Sequence, residues 1–95
     1  MPGVSFEGAT CSGHGCYPPR PSTSGSSDVF VEGIAVLRAG DSYAPHTCGD
    51  STHGGAMAEG SGTVTANGHA VVRIGDGVDC GSVCAECVDT VFAGD

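Results

Sequence analysis

Residues 24–41 read SGSSDVFVEGIAVLRAGD and residues 59–76 read EGSGTVTANGHAVVRIGD, the same stretch laid down twice. At an offset of 35 residues the copies agree at nine of eighteen positions: an opening Gly-Ser, a valine, a glycine, an Ala-Val pair and a closing Arg-x-Gly-Asp. A repeat of this period is one supersecondary unit copied along the chain. Such a unit cannot bury its apolar face alone, so the copies have to pack against one another.

Each copy places a turn signal between two short apolar runs. In the first, Val29 and Val31 lead into Glu32-Gly33, after which residues 34–38 resume. In the second, residues 63–66 lead into Asn67-Gly68 and then residues 69–73. Asn-Gly between two such runs marks a hairpin, because both central residues of a type I′ turn need positive φ. Both copies are therefore expected to be β-hairpins. Alternation puts Ala35, Leu37, Ala70 and Val72 on one face, and Ile34, Val36, Arg38, His69, Val71 and Arg73 on the other.

The chain ends read as a third hairpin cut open. Thr90-Val91-Phe92-Ala93-Gly94 resembles Asp28-Val29-Phe30-Val31-Glu32, and residues 4–8 align with residues 36–40. Two positions depart: Phe6 stands where the copies have Arg38 and Arg73, and Ala9 where they have Asp41 and Asp76. The expected fold is all-β, a single domain over residues 1–95. It holds hairpins at about 24–41 and 59–76 and a third split between 1–10 and 87–95. Pseudo-threefold symmetry would bring the N- and C-terminal strands side by side. Three long loops, residues 11–23, 42–58 and 77–86, connect the hairpins; residues 17–21, Tyr-Pro-Pro-Arg-Pro, form an extended connector. No segment carries sustained helical periodicity.

A chain of 95 residues buries only about 60–65% of the surface its unfolded form exposes, so it needs a staple. Six cysteines and four histidines are available for one. The net charge of −8, with three arginines as the whole basic supply, excludes nucleic-acid binding, which needs clustered cations. No apolar run is long enough to span a membrane, and the N-terminus lacks the layout of a signal peptide, so a cytoplasmic start is expected. The last strand runs to the end of the chain, so no fused effector domain is expected.

The repeat also aligns the metal-ligand residue types. His14 lies five residues after Ala9, His46 five after Asp41, and Cys80 four after Asp76. A threefold fold carries these three equivalent exits to its axis, and His53 in the longest loop supplies the fourth ligand of a tetrahedral zinc site. Iron is the alternative ion. His69 aligns with Ile34 and is expected on a strand surface. Cys11, Cys16, Cys48, Cys84 and Cys87 read as reduced structural residues, with disulfides or a second metal site as alternatives. The Cys84-Ala85-Glu86-Cys87 spacing fits half of a zinc knuckle or a redox pair. A His₃Cys site leaves zinc no open position for water, and Asp50, Ser51 and Ser82 have no partners in the pattern of a catalytic group, so no enzyme is expected.

These features together resemble the PAAR-repeat proteins, which form the sharpened tip of contractile injection spikes. The resemblance is carried by Ser12-Gly13-His14, Pro18-Pro19, the two repeat blocks, Pro45-His46, Cys80-Gly81 and Val91-Phe92. The literal Pro-Ala-Ala-Arg motif is absent; the equivalent stretches read Ile34-Ala35-Val36-Leu37-Arg38 and His69-Ala70-Val71-Val72-Arg73. The resemblance implies a cone of short hairpins with a zinc ion near its vertex, held by three histidines and a cysteine. Its broad base would sit on a trimeric β-helical spike, VgrG of a type VI secretion system or the central spike of a phage tail. It further implies delivery outward with the injection particle, transient contact with a target membrane, and effectors carried non-covalently. The competing expectation is a small cysteine-rich or zinc-binding interaction module not tied to a spike.

Overall fold

The computed structural model describes residues 2–94. The strands in chain order are β1 (Phe30–Val31), β2 (Ile34–Ala35), β3 (Ser42–Cys48), β4 (Ser51–Ala56), β5 (Thr65–Ala66) and β6 (His69–Ala70). β1 pairs antiparallel with β2 across Glu32 and Gly33, whose φ angles are 50° and 80°. β5 pairs with β6 across Asn67 and Gly68, at 56° and 80°. Two consecutive positive φ values are what a two-residue hairpin demands, and they match the right-handed twist of the flanking strands.

The third unit is assembled from the chain ends in the same register. Gly3 faces Phe92 as Ala35 faces Phe30 and Ala70 faces Thr65. The amide of Val4 donates to the Val91 carbonyl at 2.9 Å, as Val36 does to Val29 and Val71 to Val64, both at 3.0 Å. The structure is thus all-β, with short hairpins in pseudo-threefold array and the terminal strands adjacent.

The three inner strands meet on the pseudo-threefold axis in a closed cycle of backbone hydrogen bonds. Leu37 donates to Ser5 at 3.2 Å, Ser5 to Val72 at 2.9 Å, and Val72 to Leu37 at 2.9 Å. Bridges flank the cycle with the same sense of rotation: Val36 with Phe6, Val4 with Arg73, and Val71 with Arg38. Because side chains alternate along a strand, this triangle separates two apolar layers. Val4, Val36 and Val71 point into one, joined by Val31, Ala66, Val88 and Ala93. Leu37 and Val72 enter the other with Cys11, Tyr43, Met57, Val78 and Cys84. Ser5 takes the third place there; its hydroxyl donates to the Glu86 carbonyl at 2.8 Å, so the serine brings no unpaired polar atom into the layer.

After the triangle each strand turns sharply. The turn closes through Asp41 to Arg38 at 3.0 Å, Asp76 to Arg73 at 3.1 Å, and Ala9 to Phe6 at 3.1 Å. The third turn residue is a glycine at φ 95°, 92° and 97° in Gly40, Gly75 and Gly8, as a type II turn requires. In two copies the buried aspartate also receives the arginine. Asp41 accepts from the Arg38 amide at 2.7 Å, from its Nε at 3.1 Å and from its Nη2 at 3.0 Å, with matching contacts between Asp76 and Arg73. Phe6 and Ala9 keep the turn without an ion pair, so the glycine and the backbone set its shape and the ion pair reinforces it.

One expectation needs correction. Residues 42–58 were expected as loop, yet they contain the longest hairpin, β3 with β4. Its register pairs Ser42 with Ala56, Tyr43 with Gly55, His46 with His53 and Cys48 with Ser51, with an irregularity between Tyr43 and His46. Pro45 falls in that irregularity, where the ladder does not need its missing N–H. The strands are mostly polar and lack apolar alternation. What holds them is the ladder itself, buried Tyr43, and the tight turn at Gly49, whose φ is 60°.

Two predictions follow from the packing. Leu37→Ala removes a fully buried side chain and should cost about 2–5 kcal/mol in denaturant unfolding, whereas Ile34→Ala at an exposed site should change stability little. Burial pushes the Asp41 carboxyl up, but its bonds from Arg38 and Ser24 outweigh this and hold its pKa below the usual carboxylate value. That contribution is present above the unfolded value of about 4 and is lost as pH falls through the lower folded value. Asp41→Asn should therefore be less stable than wild type by about 2 kcal/mol at pH 7, and the two unfolding curves should converge toward pH 2.

Candidate metal centre

The loops leaving the three turns rise to the end of the molecule away from the hairpin turns, along a body 38 × 24 × 22 Å in extent. His14 sits in a tight loop closed by reciprocal backbone bonds with Tyr17, at 3.1 and 2.9 Å. Gly13 before it has φ 72°, and a Cβ there would lie 2.6 Å from the Tyr17 carbonyl, so the loop needs glycine at this point. His46 and His53 are cross-strand partners on β3 and β4. Cys80 occupies a turn closed by Val78 to Ser82 at 2.8 Å.

These four side chains converge. Their ligand atoms all lie within 4.8 Å of one another. The Nε2 of His53 is 3.1 Å from the Nε2 of His14 and 2.7 Å from that of His46. Metal–nitrogen bonds of about 2.0–2.1 Å in a tetrahedron set nitrogens about 3.3 Å apart, so small outward ring rotations accommodate an ion.

The donor chemistry fits a cation. His46 Nδ1 lies 2.8 Å from the Pro18 carbonyl, an acceptor only, so Nδ1 carries the proton and Nε2 presents its lone pair to the cluster. Burial, then the neighbouring His46 and His14, lower the pKa of His53, which favours the neutral imidazole. At Cys80 burial pushes the thiol up, but the Ser82 hydroxyl and amide and the Arg20 guanidinium outweigh it and bring the pKa below the ordinary thiol value. A thiolate is the ligand form of cysteine. Hence the group can hold one metal ion with three neutral nitrogens and one anionic sulfur. Among the described residues no cavity of ligand size opens.

His69 is exposed on β6 and outside the cluster. The cysteines need a correction. Cys16 and Cys48 form a disulfide with a Cα–Cα distance of 5.5 Å, while Cys11, Cys84 and Cys87 are free. The reason is positional: Cys16 follows His14 by two residues and Cys48 follows His46 by two, so bringing the histidines together also brings the cysteines together. The matched His-x-Cys spacing was the signal for it. Cys84 and Cys87 form neither a knuckle nor a bonded pair; Cys84 is buried against the Ser5 hydroxyl at 3.0 Å.

Sequence reasoning also missed Tyr17. Its ring centroid lies 4.8 Å from those of His14 and His46 and 4.3 Å from that of His53, and its hydroxyl donates to Ser51 at 2.7 Å. It caps the imidazole group.

The Cys16–Cys48 bridge closes a loop of sequence separation 32, for which chain entropy gives about 3–4 kcal/mol. Cys16→Ser or Cys48→Ser should lower unfolding stability by that order. A phosphine reductant should bring wild type to the same level and leave either variant unchanged.

Among known protein families, the one described as PAAR motif matches residues 12–86. No curated protein matches the chain.

Proposed function

The chain belongs to the PAAR motif family, and on that premise we propose that it is the metal-stabilised tip that caps and sharpens the trimeric β-helical spike of a contractile injection machine. The observation that carries the reading is the convergence of His14, His46, His53 and Cys80 at the loop end of a pseudo-threefold body. We assign these four as ligands of one structural ion and zinc as that ion, because a neutral His₃ set with one thiolate suits tetrahedral zinc. A tip must withstand force where no hydrophobic core reaches. Binding energy of a structural zinc, on the order of 10 kcal/mol in small modules, is folding energy delivered at that point.

The hairpin end supplies the docking surface. Val29, Val64 and Val91 occupy equivalent positions and are all exposed, at 38%, 41% and 36%, beside Phe30 at 57%, Phe92 at 52% and Ile34 at 41%. Apolar residues in threefold array on an exposed rim match the end of a threefold partner. In this reading the partner is VgrG or a phage central spike, and one chain with internal symmetry caps three. The tip is made in the cytoplasm, rides on the particle and touches the target membrane on firing. No helix is long and apolar enough to cross it. Effector proteins bound non-covalently are further partners in this reading. A disulfide beside the vertex suits a part that ends in an oxidising space.

Metal analysis should find about one zinc per chain, and His14→Ala or Cys80→Ser should lose the ion together with most of the stability. Capture by a trimeric β-helical spike from the same genome tests the assembly. Phe30→Asp with Phe92→Asp should abolish capture while retaining zinc; undiminished capture by this double variant would remove the base from the role given to it here.

A further inference from the structure

The buried guanidinium of Arg20 lacks the partner its charge calls for. Arg20 is 4% exposed, yet among the described residues the ion pairs to carboxylates involve Arg38 and Arg73, and none involves Arg20. Its Nε donates to the Ala44 carbonyl at 2.7 Å, and its carbon centre lies 4.9 Å from the Tyr43 ring centroid. Its remaining contacts are Nη1 to the Cys11 sulfur at 3.0 Å and to the Ser82 hydroxyl at 3.5 Å, and Nη2 to the Cys80 sulfur at 3.5 Å. A cation removed from water needs an anion beside it. Of the groups in direct contact with the guanidinium, the two sulfurs are those able to carry negative charge, and Cys80 carries it whenever it holds a metal. The Asp79 carboxylate borders the same Gly55 position without forming an ion pair to Arg20.

The surroundings are shaped for this contact. A Cβ on Gly55 would lie 2.5 Å from Arg20 Nη2, so β4 leaves room for the guanidinium at that point. The short segment of residues 17–20 also supplies the Tyr17 ring over the three imidazoles and the Pro18 carbonyl that orients His46. One strap thus touches all four members of the cluster, with two prolines stiffening it.

We propose that Arg20 is a positioning residue of the vertex site, whose N–H···S contact fixes the Cys80 sulfur and withdraws electron density from the metal–thiolate bond. The inference rests on the metal reading of the cluster. Ligand partners outside the coordination shell are worth about ten- to a hundredfold in metal affinity. A hydrogen bond to a thiolate also lowers its lone-pair energy, so losing the bond moves sulfur-to-metal charge transfer to lower energy.

The test titrates the metal-free full-length chain with Co²⁺ and reads both affinity and the sulfur-to-cobalt charge-transfer band. Arg20→Met should bind cobalt about ten- to a hundredfold more weakly, with the band shifted to lower energy. Arg20→Lys keeps the buried charge, so it carries the test if Arg20→Met does not fold; its band should shift in the same direction by less. Arg38→Met, a loss of a structural arginine elsewhere, should leave the band in place. Bands of wild-type energy in folded Arg20→Met or Arg20→Lys would overturn the assignment, even with stability lowered. A wild-type chain that gives no sulfur-to-cobalt band would overturn the metal reading itself, and this inference with it.

Discussion

Three backbone hydrogen bonds close on themselves at the pseudo-threefold axis, from Leu37 to Ser5, from Ser5 to Val72 and from Val72 to Leu37. None of the strands involved is long enough to form a sheet, and an isolated two-stranded hairpin is at best marginally stable. The cycle solves this by giving every inner strand two neighbours. It also leaves no sheet edge at the centre, which removes the backbone groups that would otherwise be buried unpaired. Each strand then lends one residue to the layer below and the next to the layer above. That is why Val36 and Leu37, adjacent in sequence, are both buried but in different clusters.

The cycle tolerates loss of symmetry in side chains because it is built from main chain. The split copy replaces arginine and aspartate by Phe6 and Ala9 and replaces a core residue by Ser5, yet its bonds and its turn glycine follow the other two. The hairpin tips repeat the same economy. Asn67 at one tip accepts from Ser26 and Arg38 of the first copy, and where the third copy has no turn, the Gly94 carbonyl accepts from Ser61 and Arg73. A main-chain oxygen thus stands in for the side chain that the open hairpin lacks.

Above the second apolar layer the chain runs out of hydrophobic residues, and its organisation becomes polar. Cohesion there comes from groups that bind strongly per atom: a disulfide, a buried arginine facing two sulfurs, and a set of imidazoles aimed at one point. Arg20 links the regimes, since Cys11 belongs to the apolar layer and Cys80 to the cluster. The molecule is thereby held together by polar links at one end, while the hairpin end keeps apolar residues such as Phe30, Ile34 and Phe92 on the surface.

The sequence by itself determined the hairpins, their threefold arrangement and the closing of the third by the chain ends, because repetition, alternation and Glu-Gly or Asn-Gly turns are local signals. It also pointed to His14, His46 and Cys80, since symmetry converts nearly equal spacing after equivalent strands into spatial proximity, and to His53 in the longest loop as the fourth; the structure brings the four side chains together. The β3–β4 hairpin was not legible, because polar strands carry no apolar period and their pairing is decided by the ladder and by Tyr43. The Cys16–Cys48 bridge left only the indirect signal of a shared His-x-Cys spacing, and Tyr17 over the imidazoles and the guanidinium of Arg20 left none. Each depends on where two loops cross, and spacing along one chain does not encode the distance between two loops until the triangle of strands has fixed their exits.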